Sequence, residues 1–100
     1  MAGIDNTIHQ PVRLRIMASL MALDLDDQVD FTYLKKLLKL TDGNLGAHLG
    51  KLEQAGYVQL DKAFVDKKPK TFVSVTGKGR DAFKAHVAAL EMILRTPNRD

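Results

Sequence analysis

Cysteine is absent from the 100 residues. That excludes disulfides, thiolate metal sites, thiol redox sensing and cysteine nucleophiles together, and fits a cytoplasmic address. Long apolar runs are missing too: the longest is a handful of residues, far short of the roughly 20 that span a bilayer, so a soluble protein with no membrane partner is expected. The opening MAGIDNTIHQPVRLR carries Asp5, Arg13 and Arg15 and lacks the apolar stretch of a signal peptide. The three histidines, His9, His48 and His86, share no metal-ligand spacing, so no metal is expected. Ser19 and Ser74 have no base and orienter at a useful spacing, and Gly77-Lys78-Gly79 is not a phosphate-cradling loop. Neither an enzyme nor a cofactor is indicated, and no residue set identifies an effector ligand.

What is present is a globular composition, 45% hydrophobic and 27% charged, at a length suited to one domain. The expected layout is an N-terminal arm over 1–7, a domain over 8–95 and a tail over 96–100. The net charge of +3 and pI near 9.3 favour anionic partners.

Pro11 suits the first turn of a helix. The spacing of Ile8, Val12, Ile16, Leu20 and Leu23, with a second row at Leu14, Met17, Met21 and Leu25, predicts a first helix to about Leu25 that meets two neighbours. The acidic stretch Asp24, Asp26, Asp27 and Asp30 reads as a solvated loop, because carboxylates oppose the dipole at a helix C-terminus. Val29-Asp30-Phe31 predicts a very short strand, and Thr32 an N-cap for a second helix to Lys39 with Leu34, Leu37 and Leu38 facing a core. After a tight turn, Thr41 caps a third helix over Asp42–Ala55, which Gly56 stops.

Beyond Gly56 the period changes to 2. Tyr57–Leu60 and Thr71–Val75 read as half-buried strands joined by a basic hairpin loop, Asp61–Lys70. Thr76 caps a last helix from Gly77 to about Arg95, ended by Thr96-Pro97-Asn98. The fold class is therefore mainly α with a small β-hairpin, in the order helix, short strand, helix, helix, hairpin, helix, with a helix-turn-helix at its centre.

In the third predicted helix, Leu45, Leu49 and Leu52 define the buried side. Gly43, Ala47, Gly50 and Gln54 then face outward, with Asn44 and Lys51 on a shoulder. Gly43, Gly46 and Gly50 each cost a helix roughly 1 kcal/mol against alanine, which argues for something approaching this backbone closely, either a nucleic acid or a partner protein. From Lys62 to Arg80, six cations (Lys62, Lys67, Lys68, Lys70, Lys78, Arg80) face Asp66 alone, a local charge of +5. Lysines on a hairpin tip beside a helix-turn-helix favour phosphate contact, although lysine also protects exposed strand edges.

Three stretches carry a family resemblance: Pro11–Ile16; Leu45–Glu53 with Gln54-Ala55-Gly56-Tyr57-Val58; and Val75–Arg80. Together they resemble the winged-helix transcriptional regulators of the MarR and ArsR type over about Ile8 to Leu94. The resemblance implies a winged helix-turn-helix that binds double-stranded DNA, with the third helix as recognition helix and the hairpin as wing. It maps Thr41, Gly43, Asn44, Ala47, His48 and Lys51 onto groove or phosphate positions, to which Thr32 and the wing lysines Lys62, Lys67, Lys68 and Lys70 are added. The family often has Ser-Arg or Ser-Lys where this chain has Gly46-Ala47, so few side chains reach base edges. Asn44 is able to read adenine and Ala47 to touch a thymine methyl, and modest base specificity supplemented by DNA shape is expected. In the last helix, Phe83, Val87, Leu90 and Leu94 form a stripe flanked by alanines. With Leu14, Met17 and Met21 this predicts a homodimer, its recognition helices about 34 Å apart. The alternative is a winged-helix module that docks a protein and no DNA.

Overall fold

The caps set the element boundaries. In the structure, a computed structural model that describes residues 3–24 and 27–95, the Asp5 carboxylate accepts from the backbone N–H groups of Thr7 (2.9 Å) and Ile8 (3.1 Å) and starts a one-turn helix, α1 (Asn6–His9). Gln10 then caps α2 (Pro11–Met21), its side chain accepting from Arg13 N–H at 2.9 Å. The helix stops at Met21, short of the predicted end near Leu25, as the acidic stretch is approached; Leu25 and the tail 96–100 lie outside the described residues.

Strand β1 (Val29–Asp30) leads directly into α3 (Phe31–Leu38). Its cap is Asp30, whose carboxylate accepts from Thr32 N–H at 3.1 Å; Thr32, the predicted cap, lies inside the first turn. Lys39 closes α3 at φ 57°, and the N–H of Leu40 returns to the Lys35 carbonyl at 3.0 Å. Thr41 then caps α4 (Asp42–Gln54), its hydroxyl accepting from Asn44 N–H at 3.1 Å. Gly56 at φ 81° stops α4, with Tyr57 N–H bonded to the Leu52 carbonyl at 2.9 Å.

Strands β2 (Val58–Val65) and β3 (Lys68–Val75) form an antiparallel ribbon, and β1 pairs with β3 on the other side, giving the order β1-β3-β2. The predicted loop 61–70 is instead strand up to a two-residue turn, Asp66-Lys67, in which both residues have positive φ. Beyond Leu60 every residue of β2 is exposed, so the inside–outside alternation that marks a strand is absent there. Pro69, opposite Phe64, lies past the end of β1, where a missing N–H leaves no third strand unpaired.

The core is built from Ile8, Ile16, Met17, Leu20, Leu34, Leu38, Leu45, Leu49, Leu52, Val58 and Val73. Two expectations are corrected here. Leu37 is half exposed and lines an apolar groove of about 310 Å³ with Leu23, Val29 and Tyr33. Met17, expected at a dimer seam, is fully enclosed by its own chain, because α2 packs against α3, α4 and the sheet on that side.

Helix α5 (Gly77–Arg95) begins where the Thr76 hydroxyl accepts from Gly79 N–H at 2.9 Å and donates to the Gly56 carbonyl at 2.6 Å. Two turns further on, His86 is fully buried, its Nδ1 accepting from Asp5 N–H at 3.1 Å while Nε2 has no partner. The His9 ring meets it edge-on at 5.4 Å, and the Tyr57 hydroxyl donates to Asp5 at 2.6 Å. That bond, with desolvation and the carboxylate's charge, pushes the Tyr57 pKa up to about 12.

Burial and, secondarily, His9 hold the His86 pKa below 6.5, against a smaller opposing effect of Asp5. Below pH 6.5 the unfolded chain therefore binds more protons than the native one, and stability should fall as the pH is lowered from 7.5 to 5.5. Urea midpoints measured across that range test this. The His86→Gln chain should show a flatter dependence, the remainder coming from His48, whose pKa is also lowered.

Candidate nucleic-acid interface

Helix α4 keeps Leu45, Leu49 and Leu52 inside and turns Asp42, Gly43, Asn44, Gly46, Ala47, Lys51 and Gln54 outward. A Cβ added at Gly43, Gly46 or Gly50 would meet nothing within 4 Å, so no packing within the chain requires these glycines. Thr41 is exposed and occupied as the cap, and Thr32 is exposed on the first turn of α3.

His48 is half-buried and tied to the body of the domain. The Arg13 guanidinium, which has donors only, donates to its Nδ1 at 3.2 Å, so the ring proton sits on Nε2. Burial and then the Arg13 charge lower its pKa, keeping it neutral at pH 7. In the free protein the group it offers is therefore a neutral Nε2–H. Arg13 also donates to the Thr7 carbonyl, which links α1, α2 and α4 through one side chain. Arg15 donates to the Leu38 carbonyl at 2.9 Å, where a cation complements the C-terminus of α3. Neither arginine was singled out from the sequence, since both partners are remote in the chain.

The wing lysines Lys62, Lys67, Lys68 and Lys70 are all exposed, the middle pair at the turn. A groove of about 340 Å³ runs between the β1–α3 junction and the outer part of β3, lined by Asp30, Thr32, Lys68, Lys70 and Thr71, and α4 reaches it through its first residue, Asp42. Both of its carboxylates are in ion pairs. Lys35 Nζ lies 2.9 Å from Asp42, and Lys70 Nζ lies 3.7 Å from Asp30. The start of α4 and the lysines of β3 thus border one concavity. Asp30 and Asp42, and Lys35 as the partner of Asp42, were missed, since their meeting depends on how α3 and α4 cross and where the wing folds.

Of the residues expected at a dimer seam, Leu14, Met21, Phe83, Val87 and Leu90 are half-buried, Met17 is enclosed, and Leu94 is 82% exposed. Met92 and Ile93 are exposed beside it. Among the described residues no cluster of three His, Asp or Glu side chains is able to hold a metal ion, and no helix is long and apolar enough to cross a membrane.

An uncharacterised protein of Methanocaldococcus jannaschii is 45% identical over 76 residues, covering 76% of this chain and 79% of that one. The solved structure of a transcriptional regulator homologue from Pyrococcus horikoshii superposes with a TM-score of 0.81 at 32% identity, covering 90% of this chain and 86% of that one. A PadR-like transcription factor from Bacteroides fragilis shares the fold, with a TM-score of 0.68 at 18% identity over 92% of this chain and 95% of its own. Residues 12–94, from the start of α2 almost to the end of α5, match one family along their whole length, and the chain belongs to the winged helix DNA-binding domain family.

Proposed function

We propose that the protein is a homodimeric transcriptional regulator of the MarR/ArsR type that binds duplex DNA with modest sequence preference. Helix α4 enters the major groove by its outward face, with Asn44 and Ala47 against base edges and Thr41, Gly43, Lys51 and the neutral His48 close to the backbone. Lys62, Lys67, Lys68 and Lys70 of the wing, with Thr32 of α3, meet flanking phosphates. The reading rests on the exposed small-residue face of α4, whose first residue borders the same groove as Lys68 and Lys70 of the ribbon, together with the regulators the chain resembles. The exposed apolar end of α5 around Ile93 and Leu94, with the half-buried stripe Phe83, Val87 and Leu90, supports a seam with a second copy.

The helix glycines provide the test. Because alanine at Gly46 and Gly50 meets nothing in the free protein, the Gly46→Ala, Gly50→Ala chain should be more stable by up to about 1 kcal/mol per site. It should nevertheless bind DNA more weakly, because the added methyl groups hold the helix off the duplex. Thermal unfolding gives the first quantity. Fluorescence anisotropy on a site selected from a random duplex pool gives the second, and its stoichiometry should be two chains per inverted repeat. Undiminished binding would remove α4 from the groove, and absence of any duplex binding would favour a protein-docking role for the same face.

A further inference from the structure

The DNA-facing groove holds two carboxylates that DNA binding alone would disfavour. Asp42 opens α4 with its side chain 76% exposed, and Asp30 lies at the root of the wing, 29% exposed. Neither position needs a negative charge to fold. An N-cap works with asparagine as well as with aspartate, and the first turn of a helix gains only modestly from an exposed acid. What the carboxylates do is engage cations: Asp42 holds Lys35 of α3, and Asp30 holds Lys70 of β3.

On the reading that this face binds duplex DNA, we propose that Asp30 and Asp42 determine specificity by restraining Lys70 and Lys35, so that these two lysines do not contribute to indiscriminate backbone binding. Each carboxylate acts in two ways. It repels a phosphate brought into the groove, and it occupies a lysine that would otherwise displace a counterion from the DNA. Exposed ion pairs of this kind are weak, so a duplex that fits α4 closely is able to break them. A duplex held only by its backbone gains too little to do so. Asp42 has a further outlet at a matching site, since a carboxylate on the first turn of a recognition helix accepts from the amino group of cytosine. The device thus lowers affinity for all sequences and lowers it least where the bases fit.

The test compares the wild-type chain with the Asp30→Asn, Asp42→Asn chain on a generic duplex and on the selected site, across a salt series, with thermal unfolding as the control for folding. The double variant should bind the generic duplex at least tenfold more tightly, and its log–log salt slope should steepen by about 1.8, the value for two added phosphate contacts. The gain on the selected site should be smaller. On the generic duplex, adding Lys35→Ala and Lys70→Ala to the double variant should restore the wild-type slope. An unchanged slope in a folded double variant that binds DNA overturns the proposal alone, as does a steeper slope that survives loss of both lysines. A folded wild-type chain that binds no duplex overturns the DNA-binding reading and this proposal with it.

Discussion

Replacing Lys67 with glycine and Lys68 with alanine should weaken binding to duplex DNA about fiftyfold at 0.1 M salt and reduce the magnitude of the log–log salt slope by about 1.8. Both figures follow from losing two phosphate contacts, each of which releases roughly 0.9 counterion. The choice of glycine at position 67 separates binding from folding. Lys67 has φ 65° in the hairpin turn, a conformation that glycine adopts freely, and Lys68 is fully on the surface, so neither change should lower the melting temperature. The loss should be nearly the same for every sequence, since phosphates carry no base information. Anisotropy titrations at four or five salt concentrations read both quantities. A parallel displacement with no change of slope would mean that the turn does not touch phosphates.

The largest effect on stability is expected at Gly79, where alanine should cost about 3 kcal/mol and lower the melting temperature by about 10–20 °C. A Cβ at this position would lie 2.1 Å from the Tyr57 carbonyl oxygen and 2.8 Å from its carbon. Both are backbone atoms, so no side chain can rotate away. The same carbonyl already accepts from Thr76 N–H at 3.0 Å, which leaves the strand and the helix little freedom to separate. Gly77 is the control: two residues earlier, a Cβ meets nothing within 4 Å, and Gly77→Ala should leave the melting temperature within a degree or two. Differential scanning calorimetry of the two variants measures the contrast. Equal effects would mean that helix propensity, not the contact with Tyr57, decides both. The damage should reach DNA binding as well, because Tyr57 immediately precedes the strand that becomes the wing.

Much of this molecule was legible locally. Pro11, Thr41, Gly56 and Thr76 each start or stop an element as their own chemistry dictates, since a cap or a left-handed residue acts within four positions of itself. The buried side of α4 followed from the spacing of Leu45, Leu49 and Leu52. The wing was harder to read. Its outer half has no buried face, so its strands carry no alternation and looked like loop. Asp30 and Thr32 are both good N-cap residues two positions apart, and only the path of β1 makes Asp30 the cap.

By itself, then, the sequence determined the order of elements, most of their caps, the buried stripe of α4 and the charge of the hairpin, because these depend on residue type and short spacing. Tertiary structure alone decided which apolar row of α2 is enclosed, so that Met17 belongs to the core. It also joined Asp5 to His86 across 81 positions and Arg13 to His48 across 35, and brought Asp30 and Asp42 into one groove with the wing lysines. The reason is that a helix or ribbon presents several faces with comparable chemistry. Which face meets a neighbour is settled only when elements far apart in the chain pack together.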